Sequence, residues 1–238
     1  YRICAGVIHV LKGGASRGGH TYRPENELFT SVFDLLRLDS DNPEERIKDN
    51  VEDMVLFGDI VRYDTGDHSA IALKSNFRTE ESIARRLITL QARTADFRVD
   101  VKDAVKRFEE EAGFTLHPNQ VEAVREAVEN GVQIVTGGPG TGKTTIVKCI
   151  LHLFKNLGQR VALCAPTGRA AKRLSEATGE EAKTIHRLLD LDYKDGQGCF
   201  TYNDQTRLPV DVVIVDEMSM VDEYAFNALV KAINNGAR

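Results

Sequence analysis

No apolar stretch in the 238 residues is long enough to span a bilayer, and no signal peptide is visible. The expectation is a cytoplasmic protein with no membrane partner. A surplus of basic charge is also missing: Lys and Arg number 31 against 36 Asp and Glu, a formal net charge of -5. A strongly basic nucleic-acid binder is thereby excluded, so any such surface must be local. The four cysteines, Cys4, Cys149, Cys164 and Cys199, show no C-x-x-C spacing. Reduced, structural thiols are expected rather than a metal site or a disulfide framework. Internal repeats and low-complexity tracts are absent as well. What remains is an ordinary globular composition, 42% hydrophobic and 28% charged, in a length that suits one or two domains.

The stretch that organises the rest is Gly137-Gly138-Pro139-Gly140-Thr141-Gly142-Lys143-Thr144-Thr145. It fits G-x-x-x-x-G-K-[ST]. Val132, Ile134 and Val135 precede it, as a buried parallel strand would. Ile146, Val147, Ile150, Leu151, Phe154 and Leu157 follow at helical spacing. Glycines let the backbone turn several N–H groups inward, and an anion sits in that nest. The helix beginning near Lys143 adds its positive end. Lys143 would serve the β- and γ-phosphates of ATP, and the Thr144 hydroxyl would hold Mg²⁺. Gly138, Gly140, Thr141, Gly142 and Thr145 complete the expected nucleotide-binding set.

Taken in order, Ile3, Val7, Ile8 and Leu11 predict a first helix, which Gly13 to Gly19 should break with a loop. His20 to Arg23 reads as a short extended piece. Pro24 suits the first turn of a second helix, and Ile47, Val51 and Met54 line a third. Ile60–Tyr63 and Ala70–Leu73 read as a hairpin. Three helices and a hairpin outline a winged helix, a fold that often binds duplex nucleic acid. The hairpin carries Asp59, Asp64 and Asp67 against Arg62, which favours a packing or partner-facing role. A helix over Thr79 to about Ala92 carries Arg85, Arg86 and Arg93. The best domain boundary lies at Thr94 to Val99. The expected organisation is a winged-helix-like unit over 1–78, a helical linker over 79–99 and an ATPase domain over 100–238.

After a helix from about Asp100 to Ala112 and a Gly113 cap, Leu116-His117-Pro118-Asn119-Gln120 opens another. Alone, Gln120 is an exposed helical residue. Beside a phosphate loop, its amide is suited to an adenine edge. The strand Arg160–Ala165 ends in Pro166-Thr167-Gly168-Arg169, at the strand end where parallel sheets bind ligands. These four residues offer hydroxyl, amide and guanidinium groups to a nucleic-acid backbone, and Arg169, Lys172 and Arg173 form the local basic patch. His186 reads as structural. Tyr193, Phe200 and Tyr202 suit base stacking and core packing equally. The strand Val210–Val215 ends in Asp216-Glu217, the acidic partner of a phosphate loop. Asp216 would hold Mg²⁺, and Glu217 would orient and deprotonate the attacking water. Ser219 and Asp222 would support that loop.

In this order, GGPGTGKTT, APTGRAAKRLSE, TIHRLL and VIVDEMSMVD resemble the early motifs of the RecD/TraA-like branch of superfamily 1 DNA helicases. The similarity is strongest to the long, stand-alone form of RecD. It implies an α/β fold, a RecA-like parallel sheet, and an ATP-driven motor moving 5′ to 3′ on single-stranded DNA, with protein partners in recombination or repair. By position it assigns Gln120 to adenine, Gly140 to Thr145 to phosphates and Mg²⁺, Thr167 to Arg169 to DNA, and Asp216 and Glu217 to hydrolysis. Opening on Tyr1 rather than Met, and ending before the family's second RecA-like domain and arginine finger, the chain is expected to be a piece of a longer product with a first sheet short of strands. Such a piece is expected to bind ATP weakly and to hydrolyse it barely. The alternative is a nucleotide-gated DNA- or protein-binding regulatory module.

Overall fold

The glycine-rich stretch after Leu11 does not end the first helix. In the computed structural model, which describes residues 1–38, 42–92, 99–194 and 197–238, α1 runs Arg2–Gly18. Gly14 lies against Arg23, whose Nε would be 3.4 Å from a Cβ there, so the missing side chain lets the next strand approach. Val7 and Leu11 are buried and anchor the helix, so packing overrides the poor propensity of glycine. The stop comes at Gly19, in the left-handed region at φ 68.

The described chain divides into two units, Tyr1–Ser82 and Ile83–Arg238. In the first, α1 is followed by β1 (Tyr22–Pro24), α2 (Glu25–Leu36), α3 (Pro43–Phe57), β2 (Ile60–Asp64) and β3 (Ser69–Leu73). The expected extended piece is a true strand. It pairs antiparallel with β3, Tyr22 opposite Ala72, giving the order β1-β3-β2. The order is helix, strand, helix, helix, strand, strand. Ala70, Ile71 and Ala72 of the central strand are all buried. Ile3, Val7, Leu28, Val32, Ile47 and Val51 close the core beneath. On the hairpin, Arg62 is held by Glu25 at 2.7 Å and Glu52 at 2.9 Å.

The helix expected from Thr79 begins earlier: α4 spans Lys74–Ala92 directly after β3. Thr79 lies inside it, its hydroxyl donating to Ser75 O rather than capping an end. The division between units falls within this helix. The boundary expected at Thr94 to Val99 lies almost wholly outside the described residues.

The second unit continues with α5 (Val101–Ala112), α6 (Pro118–Glu129), α7 (Lys143–Asn156), β4 (Val161–Ala165), α8 (Gly168–Thr178), β5 (Ala182–Thr184), α9 (Ile185–Leu188), the hairpin β6 (Leu191–Lys194) and β7 (Gln197–Phe200), β8 (Val212–Val215) and α10 (Glu223–Ala232). β5, β4 and β8 form a parallel sheet in that order. Strand alternation sends its two faces to different helices. Val161, Val212 and Ile214 pack with α5, α6 and α7, around Phe108, Val124 and Phe154. Cys164, Val213 and Val215 pack with α9 and α10, around Ile185, Leu189 and Leu229. This is the α/β architecture of a truncated phosphate-loop NTPase sheet. Among the described residues no helix is long and apolar enough to cross a membrane.

The strand expected at Val132–Val135 does not form. Residues 133–136 join no ladder, and Ile134 is 87% exposed. Backbone groups become a strand only when a neighbour pairs with them. Here β8 has β4 on one side, and no described strand lies between its other edge and this segment. Side chains anchor the segment instead. Val132 N–H donates to Gln91 Oε1 at 2.8 Å, and Gln133 Nε2 donates to Ala123 O at 2.9 Å.

Candidate functional site

The phosphate loop runs from Gly137 into α7, whose N-cap is Gly142. Two of its glycines take conformations that favour residues without a side chain: Gly140 at φ 75 and Gly142 at φ 82. A side chain at Gly142 would also overlap Gln120 Nε2. Three side chains hold the loop in shape. Thr141 Oγ1 donates to Gly138 O at 2.9 Å, and Gln120 Nε2 donates to Thr141 O at 3.2 Å. Lys143 Nζ donates to Gly137 O at 2.7 Å and to Gly138 O at 2.8 Å. An ammonium has three protons, so one remains to aim at an anion over the loop. Residues Gly137 to Thr141 and Thr144 are exposed, as a loop receiving a ligand must be.

Gln120 stands in the first turn of α6, where Pro118 at the first helical position preorganises the start. A cavity of about 490 Å³ opens beside it, lined by Gln120, Gln133, Thr136 and Lys143 among others. That volume is within the range of small-molecule sites.

Topology gathers the remaining sites. α7 packs Val147 and Leu151 with Leu163 of β4 and Ile214 of β8, and its C-terminal end leads into β4. Thr167, directly after β4, caps α8: its Oγ1 accepts from Ala170 N–H at 3.2 Å. Thr167, Gly168 and Arg169 are exposed and Pro166 is half-buried, and Arg169, Lys172 and Arg173 form an exposed basic face. Asp216 extends the ladder past β8, its N–H donating to Cys164 O at 2.9 Å. Its Oδ1 accepts from Glu217 N–H at 2.9 Å, which leaves Oδ2 for an ion. Glu217 is exposed and sits in the left-handed region at φ 54, a strained placement costing about 1 kcal/mol or more for a residue with a side chain. Asp222 caps α10, its Oδ1 accepting from Ala225 N–H at 2.9 Å.

Among the described residues no three His, Cys, Asp or Glu side chains are grouped to hold a metal ion. Mg²⁺ keeps several waters and takes one or two protein oxygens beside phosphates; the Thr144 hydroxyl and the Asp216 carboxylate are oxygens of that kind. All four cysteines are free. Burial pushes the Cys149 and Cys164 thiols up to about 12, with Glu109 adding to the effect at Cys149, so both are inert.

Phe200 and Tyr202 are partly buried against the α9–α10 core, so packing is their role. The exposed His186 ring meets Phe200 at 5.9 Å between centroids, tilted by 47°. The Tyr193 side chain lies outside the described set. Sequence reasoning missed His117 as the residue that caps α6, while Thr141, expected in the nucleotide-binding set, braces the loop. The Pro at the first helical position and Gln at the third were the visible signals of that cap.

Residues 120–238 match the family described as AAA domain. The whole chain is 32% identical to the "ATP-dependent RecD2 DNA helicase" of Deinococcus radiodurans, covering 33% of that protein. It is 36% identical over 195 residues to the "RecBCD enzyme subunit RecD" of Mycobacterium tuberculosis, spanning 72% of this chain and 32% of that one. Against the subunit of the same name from Haemophilus influenzae the identity is 34%, over 49% of this chain and 22% of the other. The chain thus spans about a third or less of these relatives.

Proposed function

Because the chain belongs to the AAA domain family, we propose that its larger unit binds Mg-ATP at the 137–145 loop and forms part of a DNA helicase motor that moves 5′ to 3′ on single-stranded DNA. One observation carries the reading: Lys143 and Gln120 hold the loop in a shape whose exposed glycines and remaining ammonium proton suit an anion.

The residues divide the chemistry. Gln120 Oε1 already accepts from His117 N–H at 2.9 Å, and one amide proton goes to Thr141 O. One acceptor site and one donor remain, the complement of adenine N6–H and N7. Lys143 and the N-terminus of α7 stabilise the phosphates. Thr144 and Asp216 would hold Mg²⁺, which supplies charge neutralisation across the phosphate oxygens. Glu217 takes the proton of the attacking water. Pro166 to Arg169 lie against the nucleic-acid backbone, and Arg169 supplies the charge-assisted contact. The winged-helix-like unit faces a protein partner, since Arg62 is already engaged by Glu25 and Glu52.

The test is titration of a fluorescent ATP analogue with Mg²⁺, beside steady-state hydrolysis with and without single-stranded DNA. Lys143→Ala should weaken binding at least about tenfold, since it removes a charge-assisted contact. Hydrolysis by these 238 residues should be slow, because an arginine finger contributes about 10³–10⁵ in rate to related enzymes. Rapid DNA-stimulated turnover by this chain would contradict that part. ATP binding with no response to DNA favours the nucleotide-gated regulatory module instead.

A further inference from the structure

The cap of α6 reaches further than a helix end. Ser, Thr, Asp and Asn ordinarily stand at this position; here it is His117. Its Nδ1 accepts from Asn119 N–H at 3.3 Å, while its own backbone N–H donates to Gln120 Oε1 at 2.9 Å. The other end of that amide donates to Thr141 O in the phosphate loop at 3.2 Å. Gln120 is thus held at both ends, and Gly142 packs against its Nε2 with no room for a side chain between them. The imidazole, the first turn of α6, the Gln120 amide and the phosphate loop form one linked series.

The cap matters beyond its own bond. Nδ1 accepts as an unprotonated ring nitrogen. Without that acceptor the first turn of α6 lacks its cap, and the backbone that fixes Gln120 loosens.

We propose that His117 is a positioning residue for the nucleotide: as the cap of α6 it sets the Gln120 amide against the phosphate loop. The proposal rests on the ATP reading of this site, and two measurements separate the two. The first is the affinity of the 238-residue chain for a fluorescent ATP analogue in wild type, His117→Ala and His117→Asn. Asparagine keeps a side-chain acceptor at the cap. His117→Ala should bind about three- to tenfold more weakly, and His117→Asn should recover to within about twofold of wild type. An unimpaired His117→Ala, or a His117→Asn as weak as His117→Ala, overturns the proposal.

The second measurement is amide hydrogen exchange over residues 137–142 without nucleotide, at one neutral pH. Faster exchange in His117→Ala, restored in His117→Asn, supports the linked series whether or not ATP binds. Unchanged exchange overturns it. A wild-type chain that binds no ATP but shows this exchange pattern sinks the ATP reading alone.

Discussion

The two units treat their polar groups differently. In Tyr1–Ser82 the sheet closes around a buried central strand, and charges are spent internally: Arg62 on Glu25 and Glu52, Thr21 on Glu80 at 2.6 Å. In Ile83–Arg238 the sheet edge where β4 and β8 end carries exposed residues at Thr167 to Arg169 and at Glu217, and the phosphate loop is exposed as well. The opposite edge is closed, with Arg160 gripping Asp211 through Nε at 3.0 Å and Nη2 at 2.9 Å. The difference teaches where chemistry can reside. Groups that already satisfy one another fix a shape, and groups left facing outward on a rigid support can meet a ligand.

Core truncations test that contrast most strongly. Phe154 and Leu28 are both fully buried, one beneath α7 and one in the smaller unit. Phe154→Ala should cost about 3–5 kcal/mol and Leu28→Ala about 2–5 kcal/mol in denaturant unfolding. Only Phe154→Ala should also weaken ATP-analogue binding, because α7 carries Lys143. Equal loss of binding in both variants would break the comparison. A smaller effect should come from acid. The Arg160 guanidinium and backbone N–H hold the Asp211 carboxyl below its ordinary range. A lowered folded-state value contributes stability that is complete above the unfolded value and lost as pH falls through the folded one. Melting temperatures should therefore decline in acid with a component that Asp211→Asn removes, while ATP-analogue affinity at neutral pH stays unchanged. The smallest effect belongs to Ile134, which is 87% exposed. Ile134→Lys should shift folding stability by no more than about 0.5 kcal/mol. Its signature is reduced self-association in sedimentation, since it removes an exposed apolar side chain.

Much of the site was legible because local chemistry dictates it. A glycine loop ahead of a helix, an acidic pair after an apolar strand, and caps such as Gly113 and Asp222 depend on neighbours a few residues away. What escaped depends on partners far along the chain. The glycines of α1 stay helical because β1 packs there, and β1 exists only because β3 lies beside it. Val132 to Val135 have the composition of a strand, and composition does not supply a ladder partner. Arg86 illustrates the same limit. In the sequence it is only one of three arginines assigned to its helix, yet it binds Val230 O at 2.8 Å and also Ile233 O and Asn235 Oδ1, around the end of α10.

The outer side of β8 has one further consequence. Val213 N–H donates to Arg238 O at 2.7 Å and Arg238 N–H to Asp211 O at 3.0 Å, the two bonds of a parallel bridge. A parallel bridge sets direction as well as contact: at Arg238 the chain runs alongside β8 rather than against it, so this edge continues the parallel order of β5, β4 and β8.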